Sequence, residues 1–426
     1  VSDRGRDNLC LLAGNSKPGF FMAALKSLAP VVIGLIIAYL LQAHVKPNIA
    51  PYPAKLLLDI GIAIILAVSL NIVNGFTGQF SMGHAGFLAI GGYVSGMVSY
   101  YGSIKMWASS AVNGGAMSTM KGDLSGLPIF AAGDGLFLMA ILAGGLAAAV
   151  MGIAVGLPSL RLRGDYLAIV TLGFGEIVRV LVQQTGQLLR PEKIPWATLY
   201  PDKPAPEGVE KVVAFALDRV NEVTGATEKY YVAVADAPWW KIAPRVGGAL
   251  GFTNIPSYNS LFWVYAFVTV MLITAFRIKR STFGRALLSI REDEIAAEAM
   301  GVNTTRYKVL AFVIAAFFAG IAGALTAHTL GVGLSAETAG FQKSFDIIIM
   351  VVLGGLGSIS GAVIAAVVVT LLPEWLRGIA EYRLIVYALA LILMMIFRPK
   401  GLFGVNEVWD RAAWSWLLGR KGGKKA

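Results

Sequence analysis

"DIIIMVVLGGLGSISGAVIAAVVVTLL", residues 346–372, is apolar along nearly its whole length and is interrupted by "GGLGSISG" at 354–361. A membrane span needs roughly 17–25 mainly apolar residues. The part before the break, 346–356, has eleven residues, about 16 Å as a helix, and is too short to cross alone. How many times this stretch crosses depends on which side its neighbours occupy, and charge sets that.

Only 14% of the 426 residues are charged and the mean hydropathy is +0.68, whereas a soluble domain carries about a quarter charged residues. Glycine reaches 49 residues, in keeping with its frequency in transmembrane helices. The chain therefore reads as a polytopic membrane protein. Candidate spans are 28–44, 56–73, 84–101, 135–158, 166–184, 260–277, 307–330 and 383–397. A lone Cys10 gives no internal disulfide, and His44, His84 and His328 lie too far apart in sequence to suggest a metal centre. The opening "VSDRGRDNLC" is polar and does not read as a secretory signal peptide.

Cytoplasmic loops collect Lys and Arg. Residues 1–27, 159–165, 277–308 and 398–426 alternate correctly for one side, and together they carry the whole net charge of +11. The remainder is balanced, with 16 basic and 16 acidic residues. Both termini are thus expected in the cytoplasm, and the basic excess gives no reason to expect a nucleic-acid partner. Lys308 and Arg398 then lie on the same side, so 346–372 crosses either not at all or twice. The expectation is a re-entrant pair of half-helices entering from outside and broken near Gly357-Ser358. Irregular backbone at that depth survives only when buried in protein or lining a wet cavity. The expected fold is all-α, with about eight full spans plus this pair, about 10 membrane segments in all. Residues 1–27 form a cytoplasmic tail, 28–397 the membrane domain and 398–426 a basic cytoplasmic tail.

A second Gly-rich break, "NGFTGQFSMGHAGF" at 74–87, lies in the other half of the chain. Paired interruptions of this kind point to a translocation site between two pseudo-repeated halves. The candidate pathway residues are Gln79, Ser81, His84, Gly355, Gly357 and Ser358. The competing explanation is that Gly and Ser let helices pack closely, with His84 a hydrogen-bonded packing residue. The long outer region 185–259 holds eight basic residues, eight acidic residues and eight prolines. Within it, Val212, Val213, Phe215, Ala216, Leu217 and Val220 fall near helical spacing, so 207–225 suggests an amphipathic surface helix. Trp239 and Trp240 suit an interfacial anchor.

"STFGRALLSIREDEIAAEAMGVN", 281–303, is the charged exception between two apolar stretches. Ile295, Ala299 and Val302 share one helical face. Glu292, Asp293 and Glu294 stand where a helix dipole favours acids, Gly301 follows as a helix-ending residue, and Asn303 can cap the next helix. The positive-inside rule does not explain the acid run. The pattern predicts a short cytoplasmic helix whose small residues fit a partner's groove.

Here the sequence resembles a known family. "IREDEIAAEAMGVNTTRYKVLAF" is similar to the cytoplasmic loop of bacterial ABC importer permeases, closest to the LivM-type subunits of the branched-chain amino acid permease family. "SLNIVNGFTGQFSMGHAGFLAIGGYV" from 69, "PSLRLRGDYLAIVTLGFGEIVR" from 158, "VVLGGLGSISGAV" from 351 and "FRPKGLFG" from 397 match in order. The resemblance implies a coupling helix that docks on ATPase subunits, with Arg291, Glu292, Asp293, Glu294, Ala296, Ala297, Glu298 and Gly301 carrying the contact. It also implies a second homologous permease, two cytoplasmic ABC ATPases, an extracytoplasmic (periplasmic) amino-acid-binding protein and a place in the bacterial inner membrane. No cofactor is expected on this chain, with ATP and Mg held by the ATPases. The general importer loop has Glu-Ala-Ala, three residues, then Gly, and here Ile295 occupies the Glu position. The family's Thr-Gly-Gly after the fifth span is Thr185-Gly186-Gln187.

No Gly-x-x-x-x-Gly-Lys-Ser/Thr pattern occurs, so ATP hydrolysis is not assigned to this chain and it is not expected to be an enzyme. Related permeases leave urea or a short amide open as cargo. An ion-coupled secondary transporter would need an ionisable group at membrane depth, for which Asp59, Glu176 and Asp346 are the candidates. Glu176 lies three residues before Arg179, which favours an internal ion pair. A passive channel would leave the charged helix without a role.

Overall fold

A computed structural model describes residues 20–376, apart from 120–124, 160–164, 202–209, 221–226, 235 and 330–332, together with isolated later positions that include 401, 402, 404, 407 and 408. Most of the expected span 383–397 and most of the tails 1–27 and 398–426 fall outside the described residues. Eleven of the helices define the architecture: α1 Phe20–Leu40, α2 Pro51–Asn71, α3 His84–Trp107, α4 Ala132–Ser159, α5 Asp165–Gln183, α6 Leu261–Arg280, α7 Thr282–Glu292, α8 Glu294–Ala299, α9 Thr304–Ala327, α10 Phe341–Gly354 and α11 Ile359–Trp375. Among the described residues, six helical stretches are long and apolar enough to cross a membrane: 29–48, 51–77, 132–158, 166–183, 261–280 and 304–327. The expected span 84–101 is helical within α3. That helix has the length but not the apolarity, with Gly, Ser and Tyr distributed along it.

The small residues explain the packing. α9 sits centrally, against α4, α3 and α2. A Cβ at Gly323 would stand 1.8 Å from the Leu88 carbonyl oxygen, so α9 and α3 touch backbone to backbone. Helices in lipid gain little from apolar transfer, and close contact of this sort supplies the dispersion energy. The apolar segment of α2 is 83% buried and that at α1 only 11%, so α2 is the core helix and α1 lies at the edge, against α6.

The 346–372 stretch does form two helices broken at Gly355–Ser358. The first is longer than its apolar run suggests, because α10 begins at Phe341, where the backbone N–H bonds Glu176 Oε1 at 3.1 Å. The helices have 14 and 17 residues, about 21 and 26 Å. Lys279, in the last turn of α6, donates to the Gly357 carbonyl at 2.9 Å. The turn therefore lies level with the basic end of α6 rather than part-way through the bundle.

The outer region corrects the all-α expectation. Three antiparallel strands, β1 Pro191–Pro195, β2 Lys211–Val220 and β3 Thr227–Ala233, form a sheet in the order β1-β2-β3, with Pro191 opposite Phe215 and Ala214 opposite Ala233. The helix expected over 207–225 is strand β2 where the chain is described. Phe215 and Leu217, two apart, are both buried, the period of a strand, and valines favour a pleated surface. Phe215 packs edge-on to Tyr101 of α3 at 5.8 Å between ring centres, and Lys105 donates to the Ala237 carbonyl at 2.6 Å. These contacts seat the sheet on the end of α3.

Candidate functional site

The two Gly-rich breaks meet. α2 gives way to a π-helical turn, Ile72–Thr77, and then to irregular backbone until His84. A π-turn widens the backbone and is common at functional sites. Asn71 Oδ1 accepts from the Gly357 N–H at 2.9 Å, and its Nδ2 donates to the Ser358 carbonyl at 2.9 Å. A Cβ at Gly75 would lie 2.5 Å from the Gly357 nitrogen, so only glycine permits this approach. Gly357 itself has φ +93°, a left-handed conformation that glycine adopts without a Cβ clash.

Of the predicted pathway residues, Ser81, His84, Gly355, Gly357 and Ser358 are buried and Gln79 is half-buried. The Ser81 N–H bonds Asn74 Oδ1 at 3.2 Å, and His84 Nε2 pairs with Ser69 Oγ at 2.8 Å. His84 is thus buried and hydrogen-bonded within its own chain. Gln79 Oε1 and Asn74 Nδ2 have no hydrogen-bond partner among the described residues, although buried polar groups are nearly always paired. Sequence inspection missed Asn71, whose only visible signal was a polar residue at the end of an apolar run.

The charged segment is two helices, not one. Ser281 accepts from the Gly284 N–H at 3.1 Å and starts α7, and Gly284, Leu287 and Ile290 turn inward at spacing three. Glu292 therefore ends α7 instead of standing at the N-terminus of the second helix, α8. Asp293 caps α8 by accepting from the Ile295 and Ala296 N–H groups at 2.9 and 3.0 Å. Asn303 caps α9 through the Arg306 N–H at 3.0 Å, as its position predicted.

α8 offers an apolar surface with acids around it. Ile295 is 69% and Met300 85% exposed, and Ala296, Glu298 and Ala299 are also exposed. Ala297 is 5% exposed and faces its own chain; Ile295 and Ala299, expected on one contact face with Val302, stand outward. Gly301 has φ +87° and ends the helix. Two bonds anchor the segment below. Glu294 pairs with buried Lys308 at 2.6 Å, and Arg291 donates to the Gly75 carbonyl at 2.8 Å. The second bond joins the charged segment directly to the first Gly-rich break.

A third segment of chain, described at 401, 402, 404, 407 and 408, also enters the joint. Leu402 N–H donates to the Leu353 carbonyl at 2.8 Å, and a Cβ at Gly355 would lie 2.4 Å from the Gly404 oxygen. The Glu407 carboxylate sits at the N-terminus of α11, where it accepts from the Ile359 and Ser360 N–H groups at 3.2 and 2.9 Å and from Ser360 Oγ. It also pairs with Lys279. Burial pushes the Glu407 carboxyl up, but the bonds from Lys279 and Ser360 together outweigh it and hold it below its ordinary value.

The carboxylates considered for ion coupling are tied down or flanked by cations. Glu176 pairs with Arg179 at 2.6 Å, as its spacing predicted, and also caps α10. Asp59 follows Lys55 by four residues and Asp346 follows Lys343 by three, and both carboxylates are half-buried. No group of three or more His, Cys, Asp or Glu that could hold a metal occurs among the described residues.

A multi-pass helical bundle, two packed Gly-rich breaks and a charged helix pair bonded to one of them describe a membrane permease. The model of the branched-chain amino acid transport system permease component matches residues 52–397, and the chain belongs to that family. It is 32% identical over 355 residues to the high-affinity branched-chain amino acid transport system permease protein LivM of Salmonella typhimurium, covering 81% of this chain and 68% of that one, and equally so to LivM of Escherichia coli. The high-affinity permease LivH of Salmonella typhimurium is 33% identical over 168 residues, 38% of this chain and 53% of LivH. No solved structure matches the chain.

Proposed function

We propose that this chain is the LivM-type permease subunit of an ATP-driven importer for branched-chain, hydrophobic amino acids. The carrying observation is α8, an exposed apolar and acidic knob held by the Glu294–Lys308 pair and wired through Arg291 to the backbone of Gly75. Two cytoplasmic ATPases dock there, and their closure moves the knob as a rigid body between two states of the pathway. A second homologous permease completes the membrane domain, and a periplasmic binding protein delivers the amino acid. ATP and Mg stay on the ATPases. The chain spans the inner membrane with both termini cytoplasmic, as about 10 segments in two pseudo-repeated halves.

The pathway runs between the two Gly-rich breaks, along Gln79, Ser81, His84, Gly355, Gly357 and Ser358. Their packed arrangement is that of a closed pathway, and the unpaired amide atoms of Gln79 and Asn74 are groups an arriving zwitterion or water would satisfy. Small residues and backbone polar groups suit brief passage rather than tight binding.

The test is gentle extraction of the tagged chain from its native membrane, followed by identification of what accompanies it. Two ATPases and a second permease are expected with the wild type. Ile295→Asp with Ala296→Arg should lose the ATPases and keep the permease. A chain that emerges alone, or a variant that retains its ATPases, overturns the proposal. Leucine uptake against urea uptake in vesicles holding the whole complex then decides the cargo.

A further inference from the structure

The end of α6 leads straight into α7 through Ser281, which closes one helix and caps the other. Movement of the charged segment must therefore strain or carry Lys279, two residues earlier. Lys279 makes two bonds, one to the Gly357 carbonyl inside the second Gly-rich turn and one to Glu407. Glu407 is 6% exposed and holds the first two backbone N–H groups of α11 as well. One buried carboxylate thus joins three bodies: the end of α6, the start of α11 and the C-terminal strap. The strap is seated by the Leu402–Leu353 backbone bond and by the fit of Gly404 against Gly355. Arg291 links the charged segment to the first break, which itself bonds the second through Asn71; the Lys279 bonds to Gly357 and Glu407 tie the end of α6 to the second break directly.

We infer that Glu407 is a positioning residue for transport: by pairing with Lys279 it locks the Gly355–Ser358 turn to the end of α6, so that movement of α7–α8 reaches both sides of the pathway. This rests on the proposed function. Without Glu407, Lys279 keeps only its bond to the Gly357 carbonyl and the start of α11 is released from the end of α6, so motion of the charged segment reaches the second break mainly through the first. ATP is then consumed without matching uptake. A residue that only stabilises the fold would instead lower uptake and hydrolysis together, in proportion to the amount of assembled complex.

The experiment measures ATP hydrolysed per leucine taken up by the complete complex in proteoliposomes. Glu407→Gln and Lys279→Met should raise that ratio about fivefold or more, the range of ordinary coupling energies, while basal hydrolysis per assembled complex is unchanged. Lys279→Arg, which keeps the charge, should retain the wild-type ratio. If a single variant does not assemble, the double variant Glu407→Gln/Lys279→Met leaves no unpaired buried charge and gives the same measurement. An unchanged ratio in the assembled variants of a coupled wild type overturns the inference alone. A wild-type complex that takes up leucine without ATP overturns the proposed function, and the inference with it.

Discussion

Lys308 and Glu294 show how much a partner's burial matters. The Lys308 side chain is 6% exposed and Glu294 is the carboxylate at its ammonium. Removing one member of a buried pair leaves an uncompensated charge, which costs more than losing the attraction itself. Glu294→Ala should lower stability by about 2 kcal/mol, whereas Glu298→Ala, on the open face of α8, should stay within about 0.5 kcal/mol; thermal unfolding in detergent compares them. Glu407 gives a pH dependence of definite sign. Its folded-state carboxyl titrates below the unfolded one, so its contribution is fully present above the ordinary carboxylate range and is lost as pH falls through the depressed value. Unfolding temperature should drop over that acidic window in wild type and drop less in Glu407→Gln.

At the scale of the element, α8 has six residues, too few to persist alone in water. It exists because Asp293 caps it and Ala297 packs inward. Asp293→Ala removes both cap bonds and should cost about 1 kcal/mol, read as faster amide exchange confined to 295–299. Ile295→Asp and Met300→Asp should leave unfolding unchanged and abolish ATPase co-purification, because these side chains touch little of their own chain. Ala297→Leu should do the reverse and destabilise the subunit before it affects docking. The sequence-level pattern predicted the helix and its closing glycine, but two adjacent alanines look alike until packing assigns one to each side.

For the whole molecule, the decisive prediction is sidedness. Trp240 and Met300 are both highly exposed, at 76% and 85%, and they lie on segments at opposite ends of the bundle, one beside the outer sheet and one just after α8. With Cys10 replaced by Ser, a membrane-impermeant thiol reagent should label Trp240→Cys from outside intact cells. It should reach Met300→Cys only after the cytoplasmic face is opened. Labelling of both from the same side would refute the charge-based orientation. The exposed apolar faces of α1 and α4, such as Val32, Ile36, Leu142 and Leu146, are for lipid or the second permease to cover.

Residue order alone marks a multi-pass helical membrane protein and locates most of its helices, the two Gly-rich breaks that interrupt them and the charged segment that stands apart. Those features are local: apolar length, glycine placement and caps are written within some twenty residues, about one span. Tertiary structure decided the rest. Asn71 joins Gly357 from 286 residues away, and Glu407 reaches Lys279 across 128, distances over which no periodicity carries a signal. The outer strands escaped for a related reason. The valines and phenylalanine at 212–217 fit a helical or a pleated face about equally well, and only pairing with β1, β3 and the end of α3 chose between them. Burial works the same way for α8, because which face of a short helix is free depends on what lies beneath it.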